Sequence, residues 1–396
     1  MNDIETDNPL WGPGWGDVRR LWSLDPRVAH LNHGSYGAVP VRVRQVQDAF
    51  RAEADDNPER WFRRRAPGEV VDARAAVARF LGAAPDAVAL VRNASAGVSA
   101  ALANVPLAQG DEIILTNHAY GAVRLAVKRK CGETGGVPVI APIRAGAQGD
   151  EILASLERAV TERTRLIVVD HVSSDTAMLF PVADIVEKAH ARGIRVLVDG
   201  AHAPGMLDVD LGKLGPDFWV GNLHKWCCAP HGTAVLYVAE RYRAGFRTLE
   251  TGAWDEAGFP RSFDYTGTMD FTSWLAAPAA LALLGDIGWE RVRRYNNALC
   301  ETAQGIVAVE LGVEGSSLWG DPALSMRVVP LPASLVPGPE QARALQARLA
   351  TEFGLETVVK MWEARGLVRL SAHVYNTLPQ YEKLAHVLGR LARAKA

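Results

Sequence analysis

Residues 165–199, RLIVVDHVSSDTAMLFPVADIVEKAHARGIRVLVD, hold two short apolar runs separated by a stretch with helical spacing. RLIVVDHV (165–172) and RVLVD (195–199) read as buried strands, and VADIVEKAHARG (182–193) reads as the helix that joins them. A strand, a crossover helix and a second strand form a βαβ unit, whose strands lie parallel with the helix packed on one face.

The same alternation runs upstream. AVALV (87–91) precedes ASAGVSAALANV, and DEIILT (111–116) precedes AYGAVRLAVKRKCGET. Downstream, DFWVGN (217–222) and TAVLYV (233–238) follow so closely that an antiparallel pair at the sheet edge is expected. The fold class is therefore α/β, with a mostly parallel sheet covered on both faces. From about residue 286 a long Arg-rich helical stretch, WERVRRYNNALCETAQGIVAVE (289–310), leads into the strand candidates SMRVVPLP and LVRLSAHVY. These read as a smaller α+β C-terminal domain. The expected division is an N-terminal arm over 1–48, a large domain over 49–285 and a small domain over 286–396.

With 396 residues and 48% hydrophobic content, the chain can bury a substantial core, and two domains are the natural expectation. Its 43 basic and 45 acidic side chains leave a net charge of −2, which offers no pull toward nucleic acid or anionic membrane. A small-molecule partner is expected instead. The N-terminal stretch lacks the basic start and apolar run of a secretory signal. The longest apolar run, WLAAPAALALLG (274–285), is too short and Pro-broken to span a bilayer, so a cytoplasmic protein is expected. The four cysteines, Cys131, Cys227, Cys228 and Cys300, show neither zinc-site nor disulfide-framework spacing; reduced buried thiols and no metal are expected.

Ligands of open parallel sheets bind at the carboxyl ends of the strands. Here those ends carry Asn93 to Ser95, His118 to Tyr120, His171 to Ser174, Asp199 to His202, and Asn222 to Lys225. Ser95 stands where a strand turns into a helix, the usual place for an N-cap and also a ready seat for a phosphate. No Walker-type or Gly-x-Gly-x-x-Gly element accompanies it, so neither a nucleoside triphosphate nor a dinucleotide is supported. Asp199 alone could be a metal ligand, a base or a cap. Lys225, set among apolar neighbours, decides the matter. A lysine that can form an imine, an aspartate to pair with a protonated ring nitrogen and a phosphate seat together describe pyridoxal 5′-phosphate.

DGAHAPG (199–205) followed by GNLHKW (221–226) resembles the fold-type I pyridoxal-phosphate enzymes of the class V aminotransferase group, which includes the cysteine desulfurases. LNHGSYGAVP (31–40), GTMDFTSWLAAP (267–278) and VRLSAHVYNT (368–377) narrow the resemblance to the isopenicillin N epimerase-like branch. Nearly the whole chain is covered, with the motifs in the same order.

The resemblance implies Lys225 as the imine-forming lysine and Asp199 as the partner of the pyridine nitrogen. It places His202 near the ring hydroxyl with Ser174 beside it, and His118 over the ring, with Tyr120 as a second candidate for that face. Phosphate contacts are implied for Ala94, Ser95, Asn222 and His224. Thr268 is similar to the residue that reaches the phosphate from a second subunit, which implies a homodimer with shared active sites. Arg369 matches the arginine that grips the substrate α-carboxylate, with Asn32 and Ser35 implied as further substrate contacts. RWFRRR (60–65) reads as a solvated or interface helix end rather than a substrate clamp.

Such a site would take up an amino acid and abstract its α-proton through Lys225. Two outcomes stand closest to the resemblance: epimerisation, with Tyr120 as the acid on the opposite face, and β-elimination of a cysteine S-conjugate or sulfoxide. Transamination is a third. A cysteine desulfurase of the usual kind needs a cysteine shortly before the carboxylate-binding arginine, and here no cysteine follows Cys300. GNLHKW departs from the epimerase pattern, which has a smaller residue before the histidine. A non-catalytic scaffold on the same fold would be expected to lose Lys225 or Asp199, and both are present.

Overall fold

The computed structural model describes residues 7–395. The first residues of the acidic N-terminal stretch, on which part of the leader reading rests, lie outside the described residues. By contact the chain forms two compact units: Arg42–Ser174 with Leu179–Ala282, and the chain up to Val41 with Asp175–Met178 and Leu283 onward.

The larger unit is built on a seven-stranded sheet. In chain order its strands are β1 (Val88–Val91), β2 (Glu112–Thr116), β3 (Val137–Ala141), β4 (Thr164–Asp170), β5 (Arg195–Asp199), β6 (Phe218–Asn222) and β7 (Ala234–Val238). Their spatial order is β1-β7-β6-β5-β4-β2-β3. Strands β3, β2, β4, β5 and β6 run parallel, as the alternation of strands and helices requires. β7 is antiparallel to both of its neighbours, β6 and β1. The antiparallel pairing is as expected, but its place at the edge is not. β7 is almost wholly buried inside the sheet, and β1 takes the edge. Because β7 reverses direction between them, β1 and β6 still point the same way, so the carboxyl end of β1 stays with those of β6, β5, β4 and β2. The sequence reading did not single out β3. Its run VPVIA contains Pro138, which an edge strand tolerates because one row of backbone donors faces away from the ladder.

Helices α1 (Ala94–Asn104), α2 (Gly121–Thr134), α3 (Gly149–Ala159) and α4 (Val182–His190) connect the parallel strands. α1 lies against the sheet where Gly97 meets Val220. A Cβ at Gly97 would come within 2.7 Å of Val220 Cγ1, so glycine sets the helix-to-strand spacing. Gly97→Ala is expected to lower stability by about 1–3 kcal/mol through overpacking. Gly305, on a helix of the other unit with nothing near its Cβ position, supplies the control. Gly305→Ala should raise stability by about 0.5–1 kcal/mol through helix propensity. Denaturant titration of both variants checks the pair.

The smaller unit carries a three-stranded antiparallel sheet of β8 (Met326–Leu331), β9 (Val358–Trp362) and β10 (Arg365–Ser371), with β10 in the centre. Helices α5 (Trp289–Leu311), α6 (Pro339–Phe353) and α7 (Leu378–Arg393) complete it. The tryptophans near the N-terminus belong to this unit. Trp11 and Trp15 pack on Tyr295 of α5, and the Trp15 indole donates to Val374 O at 2.8 Å. No helix among the described residues is long and apolar enough to cross a membrane.

Candidate active site

In the larger unit the polar strand ends meet through specific hydrogen bonds. Asp199 closes β5 between β4 and β6, with Asp170 in register beside it on β4. Its Oδ1 accepts the Ala201 amide at 3.0 Å. Burial raises the Asp199 carboxyl above its ordinary range, opposed by the Ala201 amide and the positive charge of Lys225. A buried carboxylate so placed is in want of a cation.

Lys225 follows β6 in a loop tied back on itself: Leu223 and His224 amides donate to Thr233 O, and the Cys228 amide donates to Lys225 O at 3.0 Å. Cys228 sits in the left-handed region, with φ 55°, a conformation that costs energy for a non-glycine residue and that the surrounding hydrogen bonds must hold. Lys225 Nζ lies 3.1 Å from His202 Nε2, and the Trp226 indole donates to His202 Nδ1 at 3.4 Å. With Nδ1 accepting from the indole, a neutral imidazole carries its proton on Nε2, which can hydrogen-bond the lysine nitrogen only while that amine is uncharged, since an ammonium has no lone pair to accept with. Gly205, the last residue of DGAHAPG, has φ +84°, and a Cβ there would come within 2.7 Å of the Trp226 carbonyl. Glycine is therefore required for the chain after His202 to pass so close to the lysine loop.

Hydrogen bonds join the strand ends around the first turn of α1. Asn93 caps α1, accepting from the Ala96 amide at 2.9 Å. The Ala94 amide is already given to the buried Asn222, whose Oδ1 accepts it at 2.8 Å. Ala94 and Asn222 thus join the ends of β1 and β6, while Ser95 stays exposed on the first turn of the helix. His224 points Nδ1 at Thr233 O at 2.8 Å, and since a carbonyl only accepts, Nδ1 holds the proton. Burial, and then the charge of Lys225, push this imidazole down to about 4. As it stands it is neutral, with Nε2 an acceptor, and it could donate to a phosphate only after taking a second proton.

His118, at the end of β2, is buried and donates from Nε2 to Ile143 O at 2.9 Å, with its ring edge-on to Phe180. Tyr120 is exposed at the N-cap of α2, and Ser174 is half-buried beyond β4. Thr268 is exposed, 3.3 Å from the Tyr265 hydroxyl, and lines a cavity of about 240 Å³ together with Arg92 and Ala96 at the start of α1. In the basic run 60–65, Arg60, Arg63 and Arg65 pair with Asp56, Glu59, Glu53 and Glu69. All four cysteines are buried and none is in a disulfide. Burial pushes the Cys300 thiol up to about 12.

In the smaller unit, Arg369 of β10 is buried, and its Nη2 donates to Asn32 Oδ1 at 3.1 Å and to Ser35 Oγ at 2.5 Å. The three residues named as substrate contacts are thus brought together across more than 300 positions of sequence. Two features escaped the sequence reading: the indole of Trp226 as the group that orients His202, and the contacts of His33 and Tyr375 around the Asn32 turn. Both lie inside the quoted motifs GNLHKW, LNHGSYGAVP and VRLSAHVYNT. Polar and aromatic residues inside those motifs were the available signal.

A seven-stranded, mostly parallel sheet with a buried aspartate and a lysine at its carboxyl edge, joined to a small antiparallel C-terminal sheet, defines a fold-type I pyridoxal-phosphate enzyme architecture. The chain belongs to the aminotransferase class-V family, whose sequence model matches residues 60–384. It is 31% identical to an isopenicillin N epimerase from Amycolatopsis lactamdurans, over 96% of this chain and 99% of that protein. A probable chloroplastic L-cysteine desulfhydrase from Arabidopsis thaliana is 27% identical over 93% of this chain and 84% of its own length. Among solved structures, the apo cysteine desulfurase from Thermococcus onnurineus NA1 superposes with a TM-score of 0.80 at 23% identity, covering 96% of this chain and 98% of that one.

The residues present fit pyridoxal 5′-phosphate by the chemistry of the donor set. Asp199 is a buried acceptor suited to a protonated ring nitrogen, Lys225 is an amine held by an oriented imidazole, and Ser95 lies on the exposed first turn of an eleven-residue helix.

Proposed function

We propose that this protein is a pyridoxal 5′-phosphate enzyme that removes the α-proton of an amino acid, in the manner of isopenicillin N epimerase. The observation that carries the reading is Asp199 buried under the charge of Lys225, with Lys225 Nζ held by His202. When bound, the cofactor supplies the electron sink that makes the α-carbon acidic.

The chain's own residues do the rest. Asp199 keeps the pyridine nitrogen protonated, and His202 and Trp226 hold Lys225 where its amine can take the proton. Ser95 with the first turn of α1 seats the phosphate, and Asn222 fixes that turn; His224 joins them on protonation. His118 covers the ring. Arg369, steadied by Asn32 and Ser35, takes the α-carboxylate. Tyr120 is the acid that returns a proton on the opposite face, Thr268 serves the phosphate of a second subunit in a homodimer, Ser174 supports the ring hydroxyl, and the protein works in the cytoplasm. Burial of all four thiols speaks against a persulfide-forming cysteine.

The test is a panel of L-amino acids and cysteine S-conjugates incubated with the loaded enzyme in deuterated water. Epimerisation gives inverted product carrying deuterium at the α-carbon. Pyruvate with a released thiol would make the protein a C–S lyase instead, and a keto acid formed one for one with aminated cofactor would make it an aminotransferase.

A further inference from the structure

Arg369 does not hold its own orientation. Its Nη2 is taken by two side chains of one turn, in which the Ser35 and Tyr36 amides both donate to Asn32 O. Between Asn32 and Ser35 stands His33, buried, with Nδ1 2.6 Å from the Tyr375 hydroxyl. Its ring lies flat on His373, with centroids 4.1 Å apart and planes 14° from parallel. Tyr375 and His373 belong to the segment that leaves β10 just after Arg369. This segment and the end of β10 are tied back to the residues before the turn, since Asn376 Nδ2 donates to His30 O at 3.0 Å and the Ser371 amide donates to Leu31 O at 3.2 Å. The turn that grips Arg369 is thus itself gripped by the chain that carries Arg369.

We infer that His33 and Tyr375 are positioning residues for carboxylate recognition: their hydrogen bond sets the 32–35 turn, and the turn sets the plane of the Arg369 guanidinium. The inference rests on the reading of Arg369 as the α-carboxylate anchor. Planar, bidentate recognition depends on that plane. With Nη2 committed to Asn32 and Ser35, rotation of the guanidinium is restricted. If the turn shifts by a fraction of an ångström, a two-point contact becomes a one-point contact, while binding of a ligand without a carboxylate is untouched.

The experiment is a spectral titration of the pyridoxal-phosphate-loaded protein with two probes, L-alanine and L-alaninamide, which share the amine and the side chain and differ in the carboxylate. The quantity read is the ratio of their dissociation constants. Tyr375→Phe removes one hydroxyl and keeps the ring; His33→Asn removes the imidazole; Arg369→Gln removes the anchor. Tyr375→Phe and His33→Asn are expected to reduce the preference for L-alanine about tenfold, the worth of one charge-assisted hydrogen bond, with the affinity for L-alaninamide and the melting temperature of Tyr375→Phe little changed. Adding Tyr375→Phe to Arg369→Gln should change the ratio no further, because both act on one contact. If Arg369→Gln abolishes the preference and Tyr375→Phe retains it, the anchor stands and the positioning role is overturned. Equal loss of affinity for both probes in Tyr375→Phe also overturns it. If the unmodified protein binds L-alanine no better than L-alaninamide, the carboxylate reading fails, and the positioning role with it.

Discussion

Replacing Lys225 by alanine is expected to lower turnover by about 100- to 10,000-fold, the range that a positioned general base contributes. It should also abolish the visible band of the loaded protein that borohydride bleaches. The surroundings of the amine make the effect large. The amine is held by His202, whose own orientation comes from the Trp226 indole, and no other lysine stands in the motif. Lys225 is also the charge that opposes the burial of Asp199, so its removal should raise the Asp199 carboxyl further. The fold should survive, because the loop that carries Lys225 is closed by backbone bonds from Leu223, His224 and Cys228 that do not involve its side chain. Absorption spectra before and after borohydride, with mass analysis of the Lys225 peptide, read the result directly. A reducible band that persists in Lys225→Ala would move the imine to another amine and remove the basis of the assignment.

Asp199→Asn should separate stability from function. In the unliganded protein the carboxyl is raised by burial, so between its ordinary range and its folded value the native state binds a proton that the unfolded chain has released. The sign follows: native stability falls as pH rises through that window, and above it the buried charge costs its full amount. An amide removes the charge and keeps the shape. The apo variant is therefore expected to gain stability at neutral pH. It should also lose the decline in stability over that window. Turnover should fall about 100- to 1000-fold, because the amide cannot hold the ring nitrogen protonated. Denaturant titration of apo protein across pH, beside rates of the loaded enzyme, tests both halves. An apo variant less stable than the parent would show instead that the Asp199 carboxylate is compensated by its surroundings.

The same contrast runs through the whole site. RLIVVDHV and RVLVD could be read as strands from their apolar runs alone, because burial on both faces leaves no polar position to confuse the pattern. Asp199 and Lys225 stood out for the complementary reason: a charged residue at the end of such a run must be answered by something. Less regular segments were less legible. β3 carries a proline, and its exposed positions weaken the pattern. β7 could be recognised as antiparallel but not placed, since strand order depends on which neighbours offer their edges.

The strand pattern, the polar strand ends and the identity of the residues in the motifs were determined by the sequence itself, because they depend on hydrophobic period and on residue chemistry at fixed local spacing. Only the tertiary structure decided what those residues do to one another. It gave the Ala94 amide to Asn222, put the proton of His224 on the nitrogen facing Thr233, aimed His202 at Lys225 through Trp226, and closed Asn32, Ser35, His33 and Tyr375 around Arg369. Hydrogen bonds are directional and act over about 3 Å, so partners far apart in sequence become visible only when the chain has brought them together.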